Sequence, residues 1–229
     1  MSVRENLINI RERVRLAAFR AGRDPQTIKI IAVTKRVDVP RIMEAVAAGV
    51  TDLGENRVQE LSAKVDKIPS SLHWHLIGHL QTNKVKHVLG KVELIHSLDS
   101  WNLAVELDRQ AARMEIIPRV LVQVNVSGEE TKYGINPGEA YDFITELKNL
   151  GHIKVEGLMT IAPFVDNPQE ARPFFRELRL LSRELNEKIS GVELKHLSMG
   201  MTNDYEVAVE EGSDMLRLGT AIFGARIDQ

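Results

Sequence analysis

Eight short apolar runs, separated by stretches of helical periodicity, constrain this chain more than any other feature. The β-type runs fall at 28–33, 52–54, 73–77, 94–97, 119–125, 154–159, 193–198 and 215–219. Helical patterns lie between most of them, at 40–48, 58–67, 102–114, 138–150 and 169–189. Strand–helix alternation implies a parallel sheet with helices outside it. Eight repeats imply closure into a (β/α)8 barrel. The alternative is an open doubly wound sheet. No Gly-x-Gly-x-x-Gly turn follows the first run, which favours the barrel. Before the first run, Leu7, Ile10, Val14 and Ala17 or Ala18 recur at helical spacing, and Gly22 and Asp24-Pro25 then stop the helix. The expected fold is therefore α/β, a single-domain TIM barrel over residues 1–229, with 1–22 an extra N-terminal helix packed on it.

Composition narrows the function. The 229 residues are 43% hydrophobic, enough for one sizeable core. The net charge of −2 gives no electrostatic reason to expect nucleic acid or a membrane surface. No apolar run approaches a membrane span. With no cysteine, disulfides, thiolate metal sites and cysteine nucleophiles are impossible. Arginines recur from Arg4 to Arg23, but Glu5 and Glu12 argue against a transit peptide. A cytoplasmic monomer fits these features.

Strand C-termini converge on one mouth of a barrel. Lys35 follows the run Ile30-Ile31-Ala32-Val33-Thr34. Apolar surroundings favour a neutral amine, which forms a Schiff base with an aldehyde. The plain alternative is a lysine capping the strand in water. Glu55-Asn56, Gly78-His79-Leu80-Gln81 and Met159-Thr160 fall on the same rim. Ser198-Met199-Gly200-Met201-Thr202 and Gly219-Thr220 are small, donor-rich loops suited to an anion. An ordinary helix cap at Thr202 or Asn203 is the alternative for the first. Arg217, among apolar neighbours, is expected to point into the barrel, against a ligand or a structural ion pair. His73, His75 and His79 resemble part of a metal site, but no carboxylate stands at fixed spacing, and no metal is expected. The charged stretch 177–187 reads as a solvated helix face.

Taken in order, Ala32-Val33-Thr34-Lys35, Gly54-Glu55-Asn56-Arg57-Val58-Gln59-Glu60 and the stretch Trp74–Lys84 resemble the pyridoxal phosphate homeostasis family. Gly157-Leu158-Met159, the stretch Ser198–Asp204 and the stretch Arg217–Gly224 continue the match. The resemblance covers nearly the whole chain. It implies a barrel like the N-terminal domain of alanine racemases, with pyridoxal 5′-phosphate (PLP) held on Lys35 as an internal aldimine. Ser198, Gly200, Gly219 and Thr220 would cradle the phosphate. Arg217 would face the pyridine nitrogen, and Asn56 and Met159 would line the ring. Thr202 stands where many members have serine, and Arg36-Val37 after the lysine is less typical.

The resemblance further implies a cofactor store that acts in PLP homeostasis, with PLP-dependent apo-enzymes as recipients. An arginine at the ring nitrogen favours a neutral pyridine, which stabilises a carbanion poorly. Racemisation needs an acid/base group on each face of the α-carbon. In the related racemases a second domain supplies one, and none is expected after Gln229. No catalytic residue is therefore assigned. A small PLP-dependent racemase or lyase would need Tyr205, Tyr133 or His79 over the cofactor. A cofactor-free Schiff-base aldolase would share the lysine and the phosphate loops.

Overall fold

A computed structural model describes residues 2–129 and 132–224. The strands are β1 (Lys29–Val33), β2 (Asp52–Glu55), β3 (His73–Leu76), β4 (Leu94–Leu98), β5 (Arg119–Gln123), β6 (Lys154–Met159), β7 (His196–Ser198) and β8 (Met215–Leu218). They close into a barrel in chain order, each parallel to both neighbours. The helices are α1 (Val3–Arg20), α2 (Val39–Ala47), α3 (Val58–Lys64), α4 (Trp101–Met114), α5 (Ala140–Leu147), α6 (Arg172–Lys188), α7 (Tyr205–Glu210) and α8 (Thr220–Phe223). The expected (β/α)8 barrel with an added N-terminal helix is the observed architecture.

The N-terminal helix illustrates how local chemistry sets an element. Ser2 and Glu5 form a reciprocal capping box, worth about 1 kcal/mol to a helix start. Val3, Leu7, Ile10, Val14, Ala17 and Ala18 make its buried stripe. Gly22, at φ 65°, ends it. There Arg23 N–H donates to Ala18 O and Gly22 N–H to Phe19 O, the Schellman arrangement. Met1, part of the expected helix, lies outside the described residues.

Several boundaries differ from the sequence pattern, each for a local reason. The helix expected over 58–67 tightens to a 3₁₀ turn at Val65–Lys67. Pro69 follows, and it pushes Ile68 to an extended conformation. Short 3₁₀ turns with proline in the first turn, Pro137–Glu139 and Pro168–Ala171, precede α5 and α6. The β3–β4 connection carries a 3₁₀ segment, Thr82–His87, that the pattern does not announce. The seventh strand keeps only His196–Ser198 of the expected six residues.

Two apolar layers result. The larger fills the space between barrel and helices. The smaller lies inside the barrel, where Ile31, Leu94, Leu121, Met159 and Met215 meet. The rest of the barrel interior is polar: His75, His96 and Ser198 are fully buried, and Arg217 is 4% exposed.

Candidate functional site

Lys35 stands two residues beyond β1, half-buried, in a tight turn. Val37 N–H donates to Thr34 O, closing the turn. Arg36 adopts φ 59°, a left-handed conformation that costs a non-glycine residue about 1 kcal/mol or more. Glu60 stabilises it by accepting from Arg36 N–H at 2.7 Å. The strain sits immediately after the lysine.

Beneath this turn lies a polar cluster. Lys64 Nζ donates to Thr34 O and Glu55 Oε1, each at 2.7 Å, and to Glu60 Oε2 at 3.3 Å. The Thr34 hydroxyl donates to Glu55 Oε1 at 2.6 Å. Two buried oxygens remain without a hydrogen-bond partner, Glu55 Oε2 and Asn56 Oδ1. The β1–β2 register pairs Val33 with Gly54, so Asn56 comes level with Lys35. Gly78 makes this packing possible, since a Cβ there would sit 2.3 Å from Asn56 O.

The loops after β7 and β8 meet on the other side of the mouth. Gly200, at φ +93°, presents its carbonyl to Arg217 N–H at 3.0 Å. The Thr202 hydroxyl accepts from Ala221 N–H at 3.1 Å and ties the two loops together. Gly219 differs from Gly200. A Cβ at Gly219 would find only Val33, at an ordinary 3.5 Å, so no packing contact requires glycine there. Thr220 is exposed beside it. Room for a methyl at Gly219 therefore coincides with the loop where an anion is expected.

Arg217 points inward, as its apolar neighbours imply. Nη1 donates to Ser198 Oγ at 2.6 Å and Nη2 to Thr160 O at 2.8 Å. Burial pulls its pKa down to about 10, against the opposing charge of Asp204. The Ser198 hydroxyl is engaged by Arg217 and by His96 Nδ1, at 2.8 Å. Met159 is fully buried at the end of β6 and caps the inner apolar cluster.

The histidines separate into two groups. His75 is buried, with Nε2 3.0 Å from Asp52 Oδ1 and Nδ1 3.0 Å from His96 Nε2. His79 stays at the rim, where Nδ1 is 2.8 Å from Asp99 Oδ2 and the ring stacks on Tyr133 at 3.9 Å. Tyr205 is buried with its ring under the Arg13 guanidinium of α1. Sequence reasoning missed His96, Asp52 and the Lys64 cluster. His96 was detectable: in Leu94-Ile95-His96-Ser97-Leu98 it alternates in step with Leu94, which faces the barrel interior. The Glu60–Lys64 spacing of four was a weaker signal for the cluster.

Burial lowers the pKa of His75, outweighing the hydrogen bond to Asp52, and lowers that of His96 further, with His75 and Arg217 adding to the effect. Burial opposes ionisation of Asp52, but hydrogen bonds from His75, Thr51 and Lys29 overcome it and hold the carboxyl far below its usual range. The pair is thus carboxylate and neutral imidazole. Below the ordinary histidine value of 6.5 the unfolded chain binds protons that the folded one refuses. Stability is therefore expected to fall as pH drops through and below 6.5, while Asp52 adds its own loss only below 3.8. Urea unfolding at pH 7.5, 6 and 5 measures the slope, and a flat profile would contradict neutral buried imidazoles.

Size alone does not locate this site. Cavities of about 700 Å³ between α5 and α6 and about 540 Å³ beneath β1 and β2 are lined by neither Lys35, Asn56 nor Arg217, and a smaller one of about 420 Å³ at the rim is lined by Arg57, Glu60 and His79. The convergence of these side chains on one mouth is what singles it out. The family model for the alanine racemase N-terminal domain matches residues 6–227. A pyridoxal phosphate homeostasis protein of Aquifex aeolicus is 46% identical over 230 residues, covering 99% of each chain. The chain belongs to the pyridoxal phosphate homeostasis protein family. The family resemblance read from the motifs is borne out. A similar protein, PipY of Synechococcus elongatus PCC7942, has been solved with PLP bound. It is 34% identical, with a TM-score of 0.84, covering 97% of this chain and 100% of that one. Alanine racemase of Clostridium difficile matches at 18% identity and a TM-score of 0.76, over 100% of this chain and 58% of that one. That likeness concerns the fold alone.

Proposed function

We propose that the protein binds pyridoxal 5′-phosphate on Lys35 as an internal aldimine and serves the homeostasis of that cofactor, with little or no turnover of amino acids. The reading is carried by one observation: Lys35, the unpartnered buried Asn56 Oδ1 and the buried Arg217 ring one mouth whose fourth side is the open, donor-rich Gly219-Thr220 turn. The residues fit the cofactor in kind and in order. Bound PLP supplies an aldehyde for the amine and, when its ring nitrogen is protonated, an electron sink.

The side chains divide the work. Lys35 would supply the amine that holds the cofactor through its aldehyde, with loss of water. Gly200, Gly219, Thr220 and the main chain about Ser198 receive the phosphate, and Asn56 and Met159 border the ring. Arg217 donates toward the ring nitrogen. At about 10 its pKa still leaves it charged near neutral pH, so it keeps its proton. The ring then stays neutral, which supports storage over chemistry. We assign the protein to the cytoplasm as a monomer, with PLP-dependent apo-enzymes as recipients of the cofactor. Among the described residues no helix is long and apolar enough to cross a membrane.

The racemase or lyase reading needs a group over the cofactor. With Tyr205 turned toward α1, it rests on the His79–Tyr133 stack. Purified protein mixed with PLP is expected to turn yellow and, after borohydride, to carry a pyridoxyl mass on the Lys35 peptide. Alanine and serine in deuterated water are expected to keep their α-protons. A protein that stays colourless overturns the binding reading, and robust α-proton exchange overturns storage without turnover.

A further inference from the structure

A hydrogen-bonded chain crosses the barrel from its floor to Arg217. Lys29 Nζ lies 3.0 Å from Asp52 Oδ1 at the floor, beside a cavity of about 540 Å³ that both residues line. From there the contacts run Asp52 Oδ1 to His75 Nε2 at 3.0 Å, His75 Nδ1 to His96 Nε2 at 3.0 Å, and His96 Nδ1 to Ser198 Oγ at 2.8 Å. Arg217 Nη1 closes it on Ser198 Oγ at 2.6 Å. The chain draws one residue from each of β2, β3, β4, β7 and β8.

Its direction follows from chemistry. A guanidinium has donors and no acceptor. The Ser198 oxygen therefore accepts from Arg217, and because Asp52 only accepts, His75 donates to it from Nε2 and accepts at Nδ1, so that the Ser198 hydrogen goes to His96 Nδ1. That makes His96 the Nε2–H tautomer, which donates to His75 Nδ1. With neutral imidazoles this assignment is the consistent one, and every bond points away from Arg217 toward a carboxylate. Aligned donors polarise one another. Among the described residues Arg217 makes no ion pair, and Asp204 acts on it at longer range. Lys29 and Thr51 already partner Asp52, so Asp52 does not require the imidazoles for its own satisfaction.

We propose that Asp52, His75 and His96 are positioning residues for Arg217, which fix its donor geometry toward the cofactor ring through Ser198. The inference rests on the reading of Arg217 as the group that faces the ring nitrogen. The carboxylate sets the sense of the chain, and the chain makes the Ser198 oxygen a dependable acceptor. Ser198 Oγ and Thr160 O then hold the guanidinium at two points. Without the carboxylate the Ser198 hydroxyl is free to reverse. The guanidinium keeps one firm anchor and donates less well to the ring.

The test uses full-length protein filled with PLP labelled with nitrogen-15 in the ring. The variants are Asp52→Asn, His96→Asn and the double. Asparagine at 96 keeps an acceptor near Ser198 but is too short to reach His75, so it cuts the chain at one link. Each single variant is expected to move the ring-nitrogen resonance toward that of a pyridine without a donor. The double variant is expected to move it no further than the larger single, because a cut chain no longer transmits the carboxylate. Unmoved resonances in the singles, or additive shifts in the double, overturn the relay. Asp52→Asn keeps the side-chain shape, so it alone decides the matter if the His96 variants fail to fold. A wild-type resonance already at the donor-free position overturns the Arg217 reading, and the relay with it. A wild-type donor signal with insensitive variants overturns the relay alone.

Discussion

Replacing Lys35 with alanine is expected to abolish both the visible band and the borohydride-stable adduct, while the barrel stays folded. The side chain is half-buried and stands beyond the end of β1, outside both apolar cores. Its loss leaves no cavity of the kind that destabilises a core. What disappears is the covalent link. The phosphate and ring contacts remain, so the variant is expected to bind PLP reversibly, with affinity lower by about 100-fold or more, or some 2.7 kcal/mol. Equilibrium dialysis of the variant against the wild type measures the difference. A second amine makes the assignment discriminating. Lys64 lies beneath the same turn, but its ammonium is already held by Thr34 O, Glu55 and Glu60. Trapping on the Lys64 peptide in the wild type would show that the wrong amine has been named. Trapping undiminished in Lys35→Ala would do the same.

The sequence was most legible where one physical pattern dominated. Short apolar runs marked all eight strands, because buried parallel strands are apolar on both faces. The N-terminal stripe from Leu7 to Val14 is buried as the 3.6-residue period requires. Lys35, Asn56, Gly200 and Gly219 could be placed on one rim because the barrel carries every strand end to the same face. Legibility failed where a residue's meaning depended on partners distant in sequence. His96 reads alone as one polar residue in an apolar run, and its role follows only when Ser198, 102 positions away, comes within 2.8 Å. His75 was grouped with His73 and His79 by proximity along the chain, whereas its partners are Asp52 and His96. Ser198 was read from its loop as a phosphate ligand. Its hydroxyl meets Arg217 and His96, a contact set by the closure of the sheet that the loop alone could not announce. The 3₁₀ segment Thr82–His87 was silent because it is six residues long and buries only Val85.

The two phosphate-loop glycines separate folding from binding, and substituting each with alanine exposes the difference. Gly200→Ala places a Cβ 2.5 Å from Ala208 Cβ and 3.2 Å from both Leu216 Cδ2 and the Tyr205 backbone, at φ +93°. The left-handed conformation costs about 1–2 kcal/mol and the overpacking about 1–3 kcal/mol, so a loss near 3 kcal/mol is expected. For a chain of this size that lowers Tm by roughly 10 °C. Relief of the clash must move either α7 or the Gly200 carbonyl, and the carbonyl holds Arg217 N–H at 3.0 Å. PLP affinity is therefore expected to fall together with stability. Gly219→Ala meets only Val33 at 3.5 Å, at an ordinary negative φ. Its Tm without cofactor is expected to stay near that of the wild type, because the methyl meets no clash. The methyl does occupy the space assigned to the phosphate, so affinity should drop while apo stability does not. Thermal melts of both variants, with and without PLP, read the two quantities separately. A Gly219→Ala protein that binds PLP as the wild type does would move the phosphate away from this loop, even with Lys35 confirmed as the point of attachment.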